Sequence, residues 1–297
     1  MTVLDELQAT IAGVSRQASP SVVGIGARIR GTGFVAEPGR VVTNAHNLRG
    51  DTVTVHLVDG ARQGQVVGVD PDGDLAVVSV DTGSAPALEW ASGDAIDVGR
   101  AVFGVAALPE ARTRTTFGLV SSVERAFRGP QGHRIGGSIE HTAPLAPGSS
   151  GGPLVDAGGR LVGINTNRIG DAFYLALPAT EELRARIARL GRGESVRRPM
   201  LGVAVAPAFV ARRLRASVGL PERDGVLVRG VEEGGPADRA GIREGDLIVA
   251  LAGRPVADAD DLHEALAGIE FPVNVTLVRG AEERTVEVTE TAATPDA

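Results

Sequence analysis

A chain of 297 residues with 43 % hydrophobic and 23 % charged side chains is long enough for roughly two globular units of ordinary composition. A net charge of −7 excludes the basic footprint that nucleic-acid binding needs. Cysteine is absent, which excludes disulfide, thiol and zinc-thiolate chemistry; no cofactor and no metal is expected.

Residues 3–17 read as a short amphipathic helix, acidic at its start. The stretch lacks the basic and apolar regions of an export signal, and no apolar run reaches the length of a membrane span. As written, the sequence predicts a cytoplasmic chain without a membrane span. A periplasmic or cell-envelope chain trimmed of its export segment would read the same way. From Ser21 the pattern changes to short runs of Val, Ile, Leu and Thr bounded by Gly, Pro, Asp or Asn. They are SVVGIGARI, GTGFVAEPG, RVVTNA, DTVTVHLV, QVVGVD, LAVVSV, RAVFGVA, TFGLVSSVE, SIEHTA, PLVDAGGRLVGINT and FYLALP. So many strands at close spacing predict an all-β barrel or sandwich. Asp156 to Gly159 reads as a hairpin turn.

TEELRARIARL, residues 180–190, is the clearest helix. Acidic residues fill its first turn and arginines its last, and Gly191 is placed to end it. The polar stretch RGRGESVRRP follows and marks a boundary, giving units 1–192 and 193–290 and a disordered tail 291–297. The second unit alternates strands (LGVAVA, DGVLVRGV, DLIVAL, VNVTLVRG, ERTVEVTE) with helices (AFVARRLRASV, PADRAG, DADDLHEALAG), a small α+β module.

The stretch PGSSGGPL, residues 147–154, is ordinary surface-loop composition. It also suits a nucleophilic serine, because glycines let backbone N–H groups converge on one point. A serine nucleophile needs a base, and the base needs an orienting group. Of the five histidines, His133 lies in a polar loop, His56 lies mid-strand, His141 flanks the turn before the serines and His263 belongs to the second unit. His46 ends the strand VVTNA and opens a loop, so it is both held and accessible. Asp70, Asp72 and Asp74 supply the acid candidates. The first two read as solvent-facing turn residues, and Asp74 abuts the apolar run LAVVSV. Gly148-x-Ser150-x-Gly152 also fits a nucleophile elbow, but that fold needs the order Ser, acid, His. The order His46, Asp74, Ser150 is that of a chymotrypsin-like double β-barrel.

VVTNAHNL, GDLAVVSV and APLAPGSSGGPLVDAGGRLVGINT in the first unit, with MLGVAVA and GGPADRAGIREGDLIVALAGRPV in the second, resemble the motifs of the HtrA/Deg family of trypsin-like serine proteases with a PDZ domain. The resemblance covers roughly residues 20–290. It implies Ser150 as nucleophile, His46 as base and acid, Asp74 as the orienting carboxylate, and the N–H groups of Gly148 and Ser150 as the oxyanion hole. It implies a specificity pocket from Ser149, Asn165, Thr166 and Asn167, within the segments 147–149 and 165–173, with Asp171 the one acid in the second segment and a small-to-medium aliphatic residue preferred before the cut. In the PDZ domain, Leu201, Gly202 and Val203 would capture a C-terminal carboxylate. Ala204 and Val205 would pair with an extended peptide, and the helix bearing His263 would form the opposite wall. The implied partners are unfolded polypeptides and C-terminal peptides, in a homotrimer. The chain departs from the family at Ser149, usually Asn. It also lacks Gly-Asn-Pro after the strand RAVFG, and its first aromatic residue is Phe34. The competing expectation is a proteolytically inactive or resting-state peptide-binding, chaperone-like scaffold on the same fold; a third is active-site loops disordered at rest and ordered by a PDZ ligand or by assembly, with the loop 128–137 as the relay.

Overall fold

The computed structural model describes residues 2–91, 96–128, 134–170, 172–194, 200–266 and 269–289. His133, Asp171, the centre of the 128–137 loop, residues 195–199 and the tail 291–297 lie outside them. The chain divides into two compact units, Met1–Val196 and Arg197–Ala297.

The first unit opens with helix α1 (Val3–Ala18), started by a reciprocal cap in which Thr2 and Asp5 bond each other's backbone. Six strands follow: β1 (Val22–Ile25), β2 (Gly31–Glu37), β3 (Arg40–Thr43), β4 (Thr52–Leu57), β5 (Gly60–Asp70) and β6 (Leu75–Ser79). They close a barrel in the order β1-β2-β3-β6-β5-β4. A second six-stranded barrel contains β7 (Ala101–Leu108), β8 (Arg112–Arg128), β9 (Arg134–His141), β10 (Pro153–Val155), β11 (Leu161–Ile169) and β12 (Phe173–Pro178), in the order β10-β11-β12-β9-β8-β7. The mainly β, double-barrel expectation therefore holds.

Period-2 alternation explains why many strands are buried on both faces. Val23, Ile25, Val35, Val41, Val55 and Val78 fill the interior of the first barrel. Val102, Val120, Ile139, Leu154 and Val162 fill the second. The alternate residues Val22, Phe34, Val42, Leu75, Phe103, Val105 and Ile164 join Val14 and Ala18 of α1 in a core common to both barrels. Helix α2 (Glu181–Gly191), capped by Thr180, adds Leu183, Ile187 and Leu190 to that core. It ends at Gly191, where the sequence places its stop. The chain turns at Gly193 (φ +84°), whose N–H bonds the Leu190 carbonyl.

Two sequence expectations change. RTRT, residues 112–115, left out of the strand list, belongs to β8, which pairs with β7 in unbroken register from Ala101↔Leu119 to Leu108↔Arg112. Asp70 is buried, not solvent-facing. It accepts the Gly73 N–H at 3.0 Å and pairs with Arg186 of α2 at 3.4 Å, so it braces the turn that leads to Asp74.

In the second unit, β13 (Val203–Ala206), β14 (Val226–Val231), β15 (Leu247–Leu251), β17 (Val273–Arg279) and β18 (Glu282–Val288) form a sheet in that order, and the short β16 (Arg254–Pro255) pairs with β15. Helices α3 (Ala208–Ser217), α4 (Pro236–Arg239) and α5 (Ala259–Leu266) complete it. Strand β13 ends the sheet order, pairing with β14.

Candidate active site

His46 lies in a short helical turn, Ala45–Asn47, directly after β3. Asp74 precedes β6, the strand paired with β3, so the ladder that joins Thr43 to Ala76 brings the two side chains together. The His46 Nδ1 is 2.8 and 3.0 Å from the two Asp74 carboxylate oxygens, and the His46 backbone N–H also donates to Asp74 at 3.1 Å. Asp74 is fully buried and sits at φ +51°, a left-handed conformation that costs a non-glycine residue of the order of 1 kcal/mol. Asn44 stabilises that bend by donating its side-chain amide to the Asp74 carbonyl at 2.7 Å.

The serine loop arrives from the second barrel, between β9 and β10. Gly151 has φ +84°, and a Cβ there would fall 2.2 Å from the Thr32 carbonyl, so only glycine fits. The Gly151 N–H donates to the Asn165 carbonyl at 2.7 Å. Two residues of the first barrel then hold the Ser150 carbonyl: the Thr32 N–H and the Asn47 side-chain amide, both at 2.9 Å. The Thr32 hydroxyl donates to the Gly148 carbonyl at 2.7 Å and accepts the Ala107 N–H at 3.1 Å. Among the described residues, neither the Gly148 nor the Ser150 N–H donates to a partner.

Thr166 links serine and aspartate. Its hydroxyl donates to Asp74 Oδ2 at 2.7 Å, and its carbonyl accepts the Ser150 hydroxyl at 3.1 Å. The described hydrogen bonds of Ser150 Oγ thus lead to Thr166, not to His46. His46, Asp74 and Ser150 meet through one continuous set of contacts. Chemically, the set offers a hydroxyl, an imidazole whose Nδ1 is committed to a buried carboxylate, and unused N–H donors beside the hydroxyl.

A cavity of about 200 Å³ adjoins Ser150. Ser149, Asn165, Thr166 and Asn167 line it, together with Arg168 of the same loop and with Leu145 and Tyr174, which the sequence did not single out. A second cavity, about 170 Å³ and bordered by Pro20, His56 and Thr113, contains none of these site residues. His56 bonds the Gly26 carbonyl at 2.9 Å, in keeping with a structural role.

His141 stands one layer behind the cavity that adjoins Ser150. It is fully buried, its Nε2 lies 2.9 Å from Asn165 Oδ1, and its ring stacks on Tyr174 at 5.9 Å. An amide oxygen can only accept, so Nε2 carries the proton. Burial pushes its pKa down from 6.5 to about 4, against the Asn165 bond, which works to raise it. The imidazole is therefore neutral at physiological pH. It fixes Asn165, whose amide also donates to the Gly152 carbonyl at 3.1 Å. The sequence carried no signal for Thr32, Asn47 or His141, because each acts through a partner far along the chain.

Among the described residues no group of three His, Asp or Glu side chains is placed to hold a metal ion. In the second unit, Val203 and Val205 of β13 pack on the same core as Leu262 and Leu266 of α5. Gly202 turns at φ +74°, its carbonyl accepts the Glu232 N–H, and the Leu201 carbonyl accepts that of Ala237. Ala204 is exposed on β13, and His263 is half-buried on α5.

Comparison with known proteins matches residues 31–164 to the trypsin-like peptidase domain and residues 227–279 to the PDZ domain. HhoA of Synechocystis sp., named as a serine protease, is 35 % identical over 268 residues, covering 84 % of this chain and 68 % of its own. A DegP-like protein of Brucella suis, named as a periplasmic serine endoprotease, is 34 % identical over 81 % of this chain and 48 % of its own. The chain thus spans about half the length of that relative. The solved structure of the HtrA-type protease AlgW with a decapeptide superposes with a TM-score of 0.65 at 25 % identity, covering 96 % of this chain and 99 % of that one.

Proposed function

The chain belongs to the HtrA/Deg family of trypsin-like serine proteases with a PDZ domain, and from that premise we propose that it is an ATP-independent endopeptidase of unfolded or damaged polypeptides. The observation that carries this reading is the contact set joining His46, Asp74, Thr166 and Ser150 beside a cavity. With Nδ1 bound to Asp74, the His46 Nε2 is the basic nitrogen. Ser150 Oγ attacks the scissile carbonyl as Nε2 takes its proton. The oxyanion forms against the N–H groups of Gly148 and Ser150. The C–N bond then breaks, His46 returns the proton to the leaving amine, and water hydrolyses the Ser150 ester by the reverse sequence of transfers. Asp74 keeps the imidazole in one tautomer and stabilises its cation.

Ser149, Asn165, Thr166 and Asn167 would hold the side chain before the scissile bond. At the second unit, a peptide C-terminus would bind the loop at Leu201, Gly202 and Val203. Its strand would add to the edge of β13 at Ala204 and Val205, facing His263. The donation of the Ser150 hydroxyl to Thr166 marks a resting arrangement, which substrate or a PDZ-bound peptide converts by rotation about χ1. A homotrimer, as the family resemblance implies, and a cell-envelope location, after the periplasmic naming of the Brucella relative, complete the proposal. Light scattering and cell fractionation test these two points.

The direct test is degradation of an unfolded protein such as casein without nucleotide. Wild type should degrade it and Ser150→Ala should not. Equal degradation by both would overturn the assignment. Turnover that does not change at saturating C-terminal peptide would remove the regulatory part alone.

A further inference from the structure

In this acidic chain, arginines commonly sit against carboxylates: Arg62 on Asp59, Arg160 on Asp156, Arg186 on Asp70, Arg279 on Asp246. Arg30 and Arg49 do not. Both are exposed, and among the described residues neither forms an ion pair, although Asp51 lies two positions from Arg49. Desolvation, and then the charge of Arg49, hold the Arg30 pKa below its ordinary value, and the group stays fully charged.

Arg30 is also held in place. Its stem lies against Gly26, where an added Cβ would be 3.1 Å from the Arg30 Cγ, and its Nε donates to the Asn47 carbonyl at 2.9 Å. Asn47 in turn donates its amide to the Ser150 carbonyl. The side chain of Asn47 reaches that point only because residue 31 is glycine, whose Cβ would fall 2.3 Å from it. Arg30 is therefore two hydrogen bonds from the serine, and its remaining guanidinium N–H groups donate to no described residue.

Its side of the cleft follows from the neighbours. The specificity cavity is built from residues 145–150, 165–168 and Tyr174, and it includes neither Arg30 nor any part of the His46 loop. The backbone carbonyls of Ile29 and Arg30 border one residue of its wall, Gly148, at 3.5 and 3.8 Å from the position of a Cβ there, whereas the Arg30 side chain bonds the Asn47 carbonyl beside His46. His46 must hand a proton to the leaving amine, so the leaving segment passes over His46 and its flank. Arg30, bonded to Asn47, and Arg49, three residues after His46, occupy that flank.

We propose that Arg30 and Arg49 form an anion-binding subsite for the leaving-group side of the substrate, selecting polypeptides with Asp or Glu in the first two or three residues after the cut. This rests on the peptidase reading above. A guanidinium fork held at one nitrogen suits a carboxylate, and an interaction of this kind is typically worth about tenfold in kcat/KM.

The test uses fluorescence-quenched peptides that are identical up to the scissile bond and carry Asp-Glu, Asn-Gln or Arg-Arg after it. All end in an amide, so that the PDZ unit has no carboxylate to capture. For wild type, the kcat/KM ratio of acidic to amide peptide should be about ten at low salt and should shrink as ionic strength rises. It should fall to about two or less in Arg30→Gln, and in Arg30→Glu it should drop below one while the Arg-Arg peptide becomes the best substrate of the three. A wild-type ratio near one, or a ratio that survives Arg30→Glu with Arg49→Gln, overturns the subsite. The same three peptides with an N-methylated scissile bond are also titrated against wild type and Arg30→Glu by anisotropy. Their Kd ratios judge the subsite without cleavage. Cleavage that persists in Ser150→Ala defeats the peptidase reading, and the binding ratios still decide this one.

Discussion

Asp74 in the first unit and Asp246 in the second are both buried, at 0 % and 1 % exposure, yet their partners differ in kind. Asp246 faces a permanent cation. Arg279 grips it at 2.7 and 2.8 Å, and the Arg243 N–H adds a bond at 2.8 Å. Burial works to raise the Asp246 carboxyl, but these donors outweigh it and hold it below the usual carboxylate range. Asp74 receives a hydroxyl, a backbone N–H and an imidazole. A carboxylate locked to guanidinium is already neutralised and serves the scaffold. One that faces an imidazole keeps charge in reserve for the moment the ring takes a proton.

The comparison is sharpened most by variants of the first site. Ser150→Ala or His46→Ala should lower peptide turnover by about 10⁴–10⁶, with the thermal midpoint moved by no more than about 2 °C. Asp74→Asn should cost about 10⁴ in kcat by presenting the wrong donor to the imidazole. Asp246→Asn should do the opposite. It should lower the unfolding midpoint of the second unit by roughly 5–10 °C and leave the hydrolysis of short amidated peptides unchanged. An activity loss in Asp246→Asn matching that in Asp74→Asn would break the distinction.

His141 adds a third buried ionisable group, one that stays neutral. Its folded pKa of about 4 lies below the unfolded value of 6.5. Between those values the unfolded chain binds a proton that the folded chain refuses. Stability is therefore lost as pH falls from about 6.5 to about 4, amounting to about 3 kcal/mol. Urea unfolding followed by the single tryptophan, Trp90, should show this loss in wild type. His141→Gln should flatten it. An equal loss in the variant would assign the pH dependence to other groups. The smallest expected effect belongs to Thr166→Val. It removes the hydroxyl from Asp74 and leaves the backbone carbonyl in place, for a loss of about tenfold in kcat at constant KM.

How much of this was legible in the sequence follows from the range of each signal. His46 at a strand end, Asp74 before an apolar run and Ser150 among glycines are local patterns, and their chain order pointed to a double barrel. The destinations of side-chain donors are not local. Thr166 was read as a pocket residue, and it does line the cavity, but its hydroxyl is spent on a carboxylate 92 positions away. Asn47 reaches across 103 positions, and Thr32 across 116. Asp70 was misread because a Pro-Gly turn looks solvated in isolation, and only α2, folding back from the second barrel, covers it with Arg186. The start of β8 was missed because RTRT is polar and lacks the apolar alternation of the other strands.

The central claim, that Ser150 is a nucleophile activated by an Asp74-oriented His46, is tested most directly by a fluorophosphonate probe read by intact-protein and peptide mass spectrometry. The account expects one adduct, on Ser150, formed at least about 10³-fold more slowly in His46→Ala. An unlabelled protein, or labelling at a rate indifferent to His46, would contradict it.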